Sequence, residues 1–297
     1  MTPLTLASAT QAGVIGEAAD AVVTWLLVHG QSLFAGLNGL VLAIAGFSEQ
    51  LLSFPTPWVM ALLVAGLGFW RVNAGFALLS LVGLNLVVEM QLWDSMISTL
   101  ALVLSAAFLA LLIGLPLGVI AAQQRLVWTL TRPLLDLMQT MPAFVYLIPA
   151  VMLFSTGAVP SIIATLVFSM PPVVRLTVLG IRQVPDDLLE AGQAFGCSDL
   201  QLLQKVQLPS ALPTIMTGVN QTLMLSLSMV VITSMIGGGG LGDVVLRGIQ
   251  QLNIGLGFEG GLAVVILAVI LDRLSQSLST PAPQPLRRRL RALWKTP

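Results

Sequence analysis

The chain has 297 residues, of which 56% are hydrophobic and 9% are charged, and its formal net charge is zero. Several apolar runs reach the length of about 20 residues that a helix needs to cross a bilayer, so the composition predicts an all-α, polytopic membrane protein and excludes a soluble domain. The absence of a basic stripe argues against nucleic acid as a partner, and the single cysteine, Cys197, excludes an internal disulfide.

The first 55 residues are the most ambiguous part of the chain. No Lys or Arg occurs before Arg71, whereas three acids do: Glu17, Asp20 and Glu49. We therefore expect residues 1–55 to form an external segment, partly an amphipathic helix that lies on the membrane surface. A true membrane span over residues 21–47 remains the alternative.

About seven transmembrane helices are predicted after this segment. They lie at residues 58–70, 74–88, 95–122, 138–154, 161–181, 213–236 and 262–278. The first two form a transmembrane hairpin within residues 56–92, with a tight turn at Arg71. The last five form a core domain over residues 93–278, and residues 237–261 form an outer loop with a short helix.

The distribution of basic residues predicts the orientation. Of the 13 Lys and Arg residues, only Arg247 falls on the predicted outer side, and basic loops stay on the cytoplasmic side of a membrane. The N-terminus is therefore expected outside the cell membrane, and residues 279–297 form a basic cytoplasmic tail.

A polar loop at residues 184–210 interrupts the core domain and lies on the predicted cytoplasmic side. Pro185 and two acids after it suit the start of a helix. Gly196 interrupts the helical pattern, Ser198 or Asp199 is placed to cap a second helix, and Pro209 is expected to stop that helix. Such a polar helical hairpin is suited to docking a partner outside the bilayer.

The same loop resembles the cytoplasmic EAA loop of ABC-importer permeases. The motif is Glu190-Ala191-Gly192, then Gly196, then Val206-Gln207-Leu208-Pro209. Gly192 stands where the family usually has a second alanine, and Val206 where it has isoleucine. The resemblance implies contact with an ATPase subunit through these residues: Glu190, Ala191, Gly192, Gly196, Leu208 and Pro209.

Four further segments, at residues 132–149, 170–185, 213–242 and 265–276, resemble permeases of the glycine betaine, proline betaine and choline branch of this family. The resemblance implies a type I ABC-importer permease fold in the inner membrane. It also implies two ATPase subunits, an external substrate-binding protein and a second copy of the chain as partners. The expected function is ATP-driven uptake of a quaternary ammonium osmoprotectant.

The chain itself carries no site for ATP. It lacks the sequence G-x-x-x-x-G-K-[ST] of a phosphate-binding loop, so ATP and Mg²⁺ are expected on the partner ATPase and no cofactor on this chain. Residues 237–242 match G-x-G-x-x-G but follow a membrane helix rather than a strand, which favours a flexible turn. A single histidine, His29, and a single cysteine cannot build a transition-metal site, and no catalytic set of residues is visible.

Four residues are candidates for the translocation path. Aromatic faces attract quaternary ammonium groups, which singles out Phe144 and Tyr146, and flexible methionines adapt to a passing solute, which adds Met141 and Met224. Ordinary helix packing is the alternative role for all four. For the whole chain, the alternatives are an ABC permease for another small solute such as an amino acid, an ATP-independent carrier or channel, and a membrane-embedded enzyme.

Overall fold

A computed structural model describes residues 14–279, and every regular element within that range is helical. The helices are α1 (Val14–His29), α2 (Gln31–Ser53), α3 (Pro57–Arg71), α4 (Ala74–Glu89), α5 (Trp93–Gln123), α6 (Arg125–Thr140), α7 (Ala143–Phe154), α8 (Ala158–Arg182), α9 (Asp186–Ala194), α10 (Asp199–Leu202), α11 (Leu208–Thr233), α12 (Gly240–Gln250) and α13 (Ile254–Ser279). The first 13 residues and nearly all of the predicted basic tail lie outside the described residues.

The centre of the bundle is formed by α5, α8 and α11. Small residues let α5 and α8 approach closely: a Cβ atom at Gly114 would lie 2.5 Å from Cγ1 of Val173, and one at Gly118 would lie 2.7 Å from Cβ of Thr177. Such contacts are typical of helix pairs in membranes, where close packing replaces the hydrophobic effect as the source of association.

The bundle has two ends that differ in their connections. At the end that we term the hairpin end, α5 and α8 finish beside the start of α11, and α9 and α10 connect α8 to α11. At the opposite end, Gly157 N–H donates to the Ile236 carbonyl at 2.9 Å, and Leu241 N–H donates to Oγ1 of Thr99 at 2.7 Å. The predicted outer loop therefore contains α12, whose start is held against α5.

Five helices within the described residues are long and apolar enough to cross a membrane, or six if one bent pair is counted as a single span. The predicted first hairpin is present as α3 and α4, but these helices have only 15 and 16 residues. Arg71, at its turn, donates to the Ser277 carbonyl at 2.9 Å, which places this turn at the hairpin end. The last helix begins at Ile254, eight residues before the predicted span.

The N-terminal helix α2 has the length and apolarity of a membrane span, and it packs against the bundle near both ends and at its middle, where Val41 joins a buried cluster with Leu102 and Leu109 of α5. Phe34, near its start, packs edge-on against Phe154 with 5.6 Å between ring centroids. Glu49, near its end, lies 3.5 Å from the hydroxyl of Ser98 in the second turn of α5. Because Phe154 and Ser98 both lie toward the opposite end, α2 crosses the bundle obliquely. The surface segment and the membrane span both stay predictions for this part of the chain.

The predicted span at residues 138–154 is wrong as a single helix. The chain instead bends by 102° between α6 and α7, because Pro142 disfavours helical geometry at the residue before it and Met141 is extended, with ψ at 137°. The remaining helix α7 has 12 residues, or about 18 Å of length, which by itself is short of the hydrocarbon thickness.

Candidate functional site

The polar loop folds into two short helices separated by a tight turn, which we term the coupling hairpin (residues 186–209). The first helix, α9, ends at a glycine in the left-handed region, since Gly196 has a φ of +78°. Cys197 N–H donates to the Gly192 carbonyl at 3.1 Å and Gly196 N–H to the Gln193 carbonyl at 2.8 Å. These two bonds form a Schellman motif, which satisfies carbonyls at the end of the helix and gives the predicted break at Gly196 its physical basis.

The second helix starts with a capping box. Gln201 N–H donates to the Ser198 hydroxyl at 3.5 Å, and the backbone N–H of Ser198 donates to the Gln201 side chain at 3.0 Å. Of the two predicted capping residues, the structure therefore selects Ser198, and Asp199 lies in the first turn. The reciprocal bonds fix the direction in which the chain leaves the turn.

The two helices pack through Gly192, which is buried although it lies in the most polar part of the chain. A Cβ atom at this position would lie 2.6 Å from Cδ1 of Leu202. The glycine that replaces the family's usual alanine thus lets Leu202 close against α9, and Leu202 is itself buried. The hairpin is therefore a packed unit of two helices.

The expectation that Pro209 stops the second helix is wrong. A π-helical turn at Leu203–Gln207 follows α10 and leads directly into α11, with Pro209 in the first turn of α11, where its missing N–H is tolerated. Leu208 N–H donates to the Leu203 carbonyl five residues earlier, and this wider turn leads the helix into the proline. One continuous helical path therefore runs from Asp199 to Ile236.

Two contacts fasten the coupling hairpin to the bundle, and another joins the ends of α5 and α8 beside it. Gln123, at the end of α5, donates to the Gln207 side chain at 2.8 Å. Arg182, at the end of α8, donates to the Ala121 carbonyl at 2.8 Å. Leu208 packs against a buried apolar cluster of Ile181, Ala211 and Ile215. Sequence reasoning missed the first two contacts because they join residues about 60 to 84 positions apart.

The free face of the hairpin exposes apolar side chains. Phe195 is 90% exposed, and Leu200 and Leu188 are also exposed. Glu190 and Ala191 lie on the surface as well, and Glu190 forms no ion pair or side-chain hydrogen bond within residues 14–279. Phe195 was not predicted as a site residue; the available signal was a large aromatic residue beside a turn glycine. A polar loop that displays a bare aromatic ring has the character of a docking surface.

The predicted path residues do not form one group. Met141 and Phe144 are exposed at the bend between α6 and α7. Tyr146 is turned inward: its hydroxyl donates to the Met138 carbonyl and its ring packs edge-on against Phe168, so it holds the bend together. Met224 is half-buried on α11, and no hydrogen bond or ring contact among the described residues joins it to the other three.

Comparison with known proteins identifies relatives of the whole bundle. Residues 114–280 match the family described as "Binding-protein-dependent transport system inner membrane component". The chain is 50% identical to the glycine betaine/proline betaine transport system permease protein ProW of Escherichia coli K12 over 86% of this chain and 72% of that protein. It is 44% identical to the glycine betaine transport system permease protein OpuAB of Bacillus subtilis 168 over 89% of this chain and 94% of that protein.

A solved structure shows the same architecture. A chain from an inward-facing conformation of the MetNI methionine ABC transporter superimposes with a TM-score of 0.53 and 25% sequence identity. The match covers 69% of this chain and 97% of that one. The predicted permease fold is thereby confirmed, and the additional third of the present chain has no counterpart in that structure.

Proposed function

Because this chain belongs to the family of binding-protein-dependent transport system inner membrane components and is a multi-pass permease subunit of an ABC importer, we propose that it moves a quaternary ammonium solute, with glycine betaine as the first candidate, into the cell. The subunit is not an enzyme, since ATP is hydrolysed by a separate subunit, and substrate is delivered by a binding protein. ATP and Mg²⁺ are bound by the ATPase.

The substrate proposal rests on two relatives whose names include glycine betaine and whose similarity extends over most of this chain. Another small solute, such as an amino acid, is the second candidate, because the fold is shared with a permease of a methionine transporter. A solute path past Met141, Phe144, Tyr146 and Met224 stays a prediction. For this path, the exposure of Met141 and Phe144 at a bend is the supporting observation.

The assembly proposed here contains two copies of this chain and two ATPase subunits. The coupling hairpin faces the cytoplasm, as does the C-terminus, and the N-terminus lies outside. Leu188, Phe195 and Leu200 dock into the ATPase, with Glu190 and Ala191 beside them at the surface. An exposed aromatic anchor in a polar rim is the usual composition of an energetic hot spot.

The single observation that carries the mechanism is the continuity of the hairpin with the bundle. A helix that runs unbroken from Asp199 to Ile236 transmits a displacement of its exposed end to the core, and the Gln123–Gln207 bond transmits it to α5. Closure of the ATPase dimer on ATP thus shifts α11 against α5 and α8, which alternates access to the path between the two sides.

The test is ATPase activity in a reconstituted complex. The chain is co-purified with its ATPase and mixed with the binding protein, either unloaded or loaded with glycine betaine, choline or methionine. Stimulation by the glycine betaine complex supports the proposal. Stimulation by the methionine complex alone replaces the substrate and keeps the importer mechanism, while stable assembly without any stimulation contradicts the proposed substrate class.

A further inference from the structure

A cavity of about 380 Å³ lies between α6 and α8 toward the hairpin end and outside the coupling hairpin. Its walls are the facing sides of these two antiparallel helices. Asp136 of α6 accepts a hydrogen bond from Arg175 of α8, and the ring of Trp128 of α6 lies against the guanidinium of Arg182 of α8. The residues that line it are Trp128, Arg132, Asp136, Arg175, Leu179 and Arg182, together with two further apolar residues of α8.

The cavity carries more positive than negative charge. Three arginines line it against one carboxylate, Asp136, which pairs with Arg175 at 2.5 Å. Arg182 is bonded to backbone carbonyls at the end of α5 and stacks on Trp128 at 5.6 Å, so no carboxylate neutralises it. Arg132 forms no hydrogen bond or ion pair with any described residue. Within the part of the chain that the structure describes, the guanidinium charges of Arg132 and Arg182 therefore have no carboxylate as counter-ion.

One donor of the third arginine is also unused. The Nε atom of Arg175 is buried and has no hydrogen-bond partner among residues 14–279, although the same side chain pairs with Asp136 through its terminal nitrogen. A buried donor without a partner costs free energy unless an acceptor reaches it. An oxyanion with several acceptor oxygens is the ligand that suits planar guanidinium groups best.

The α8 wall of the cavity is largely apolar. Leu179 lines the cavity and is exposed, and Leu176 and Val178 of the same helix face also line it. Trp128 is half-buried and also lines the cavity, and tryptophans are enriched at the membrane–water boundary. A free inorganic anion gains nothing from this apolar rim, whereas an amphiphile places its acyl chains along it.

We propose that this cavity binds the phosphate group of an anionic phospholipid from the leaflet at the hairpin end. The phosphate lies between Arg132 and Arg182, and the acyl chains follow Leu176 and Leu179 of α8. Basic pockets between membrane helices bind lipid head groups in this way. The bound lipid supplies the missing counter-charge and ties α6 to α8 beside the root of the coupling hairpin.

The test uses the full chain, purified in mild detergent, stripped of lipid and then titrated with phosphatidylglycerol or phosphatidylcholine. Native mass spectrometry counts the lipids retained. We expect preferential retention of phosphatidylglycerol, which Arg132→Gln weakens about fivefold, since each basic residue near such a head group contributes about that factor. Arg125→Gln, which removes the same charge from the same helix but not from the cavity, is the matched control and leaves retention unchanged.

A pair of variants at Arg182 separates a loss of lipid binding from a loss of folding. Arg182→Gln removes a charge from the cavity and also removes bonds to α5. It is therefore compared with Arg182→Lys, which keeps the charge and is expected to retain the lipid. Equal retention of both lipids by the unmodified chain would overturn the proposal, as would equal effects of Arg132→Gln and Arg125→Gln. Inorganic phosphate distinguishes the source of the anion: a site that binds phosphate but not phosphatidylglycerol would show that the ligand is not a lipid.

Discussion

At the scale of single residues, the coupling hairpin depends on two consecutive residues, Phe195 and Gly196. Gly196 turns the chain with a positive φ, and nothing lies within 4 Å of the Cβ that a larger residue would add there. Phe195, directly before it, points into solvent. Gly196 therefore determines the geometry of the turn, and we assign Phe195 to the contact with the ATPase.

Replacement of Gly196 by valine is expected to distort the turn because of backbone strain alone. A left-handed conformation costs an ordinary residue about 1–2 kcal/mol, and a β-branched side chain is among the least tolerant. We expect Gly196→Val to insert into the membrane normally but to lose most of the ATPase stimulation by loaded binding protein. Gly196→Asn is the matched control, because asparagine adopts this conformation more readily; similar loss in both variants would show that the strain is not the cause.

Replacement of Phe195 by alanine is expected to weaken ATPase binding without a loss of stability. A buried aromatic anchor contributes about 2 kcal/mol or more at an interface, which corresponds to a decrease in affinity of about thirtyfold. The measurement is the dissociation constant between the detergent-solubilised permease and its ATPase. Phe258→Ala removes another exposed aromatic ring, at the opposite end of the bundle, and should leave this constant unchanged. An unchanged constant in Phe195→Ala would remove that residue from the interface.

At the scale of helices, the close approach of α5 and α8 sets the rigidity of the core. The Cβ of an alanine at Gly118 would meet Cβ of Thr177 at 2.7 Å and the Val174 carbonyl at 3.1 Å. Neither neighbour is the flexible end of a long side chain, so relief requires a shift of the helices themselves.

Gly118→Ala is therefore expected to lower stability by about 1–3 kcal/mol, the usual cost of overpacking a tight core. The midpoint of thermal unfolding in detergent measures this effect. Gly66→Ala makes the same change on α3, where nothing lies within 4 Å, and should be neutral or stabilising by up to about 1 kcal/mol. Equal midpoints for the two variants would contradict the packing account.

Sequence patterns predicted the helices better than the connections between them. Hydropathy located α5, α8, α11 and α13 because each has a long apolar run. Gly196 and Ser198 indicated the hairpin turn because glycine favours the end of a helix and serine favours its start. The same rules failed at two prolines. Pro142 bends the chain where a span was expected, whereas Pro209 does not end a helix because a π-helical turn precedes it. The outcome at a proline depends on neighbouring helices and hydrogen bonds, which local sequence does not specify.

The candidate site was predictable only in part for a similar reason. The EAA-like motif drew attention to residues 190–209, but the bond from Gln123 that fastens the hairpin and the bond from Arg182 that joins α8 to α5 depend on how α5, α8 and α11 meet in three dimensions. Tyr146 was singled out for its aromatic face, and the structure instead uses its hydroxyl to hold α7 against the end of α6. Composition indicates what a side chain is able to do, and tertiary packing decides which of those interactions forms.

At the scale of the whole molecule, one continuous helix joins an exposed hairpin to a packed bundle. The chain belongs to a permease family, and its energy comes from a separate ATPase. The central claim is that a force applied to the coupling hairpin shifts α11 against α5 and α8 and so changes access to the solute path, and that the solute is a quaternary ammonium compound.

The most direct measurement is uptake of radiolabelled glycine betaine into proteoliposomes that contain this chain and its ATPase, with ATP inside and loaded binding protein outside. We predict uptake that requires ATP and binding protein together and that Gly196→Val reduces to background, while Gly196→Asn retains most of it. Uptake that continues without ATP, or that is unaffected by Gly196→Val, would contradict the account.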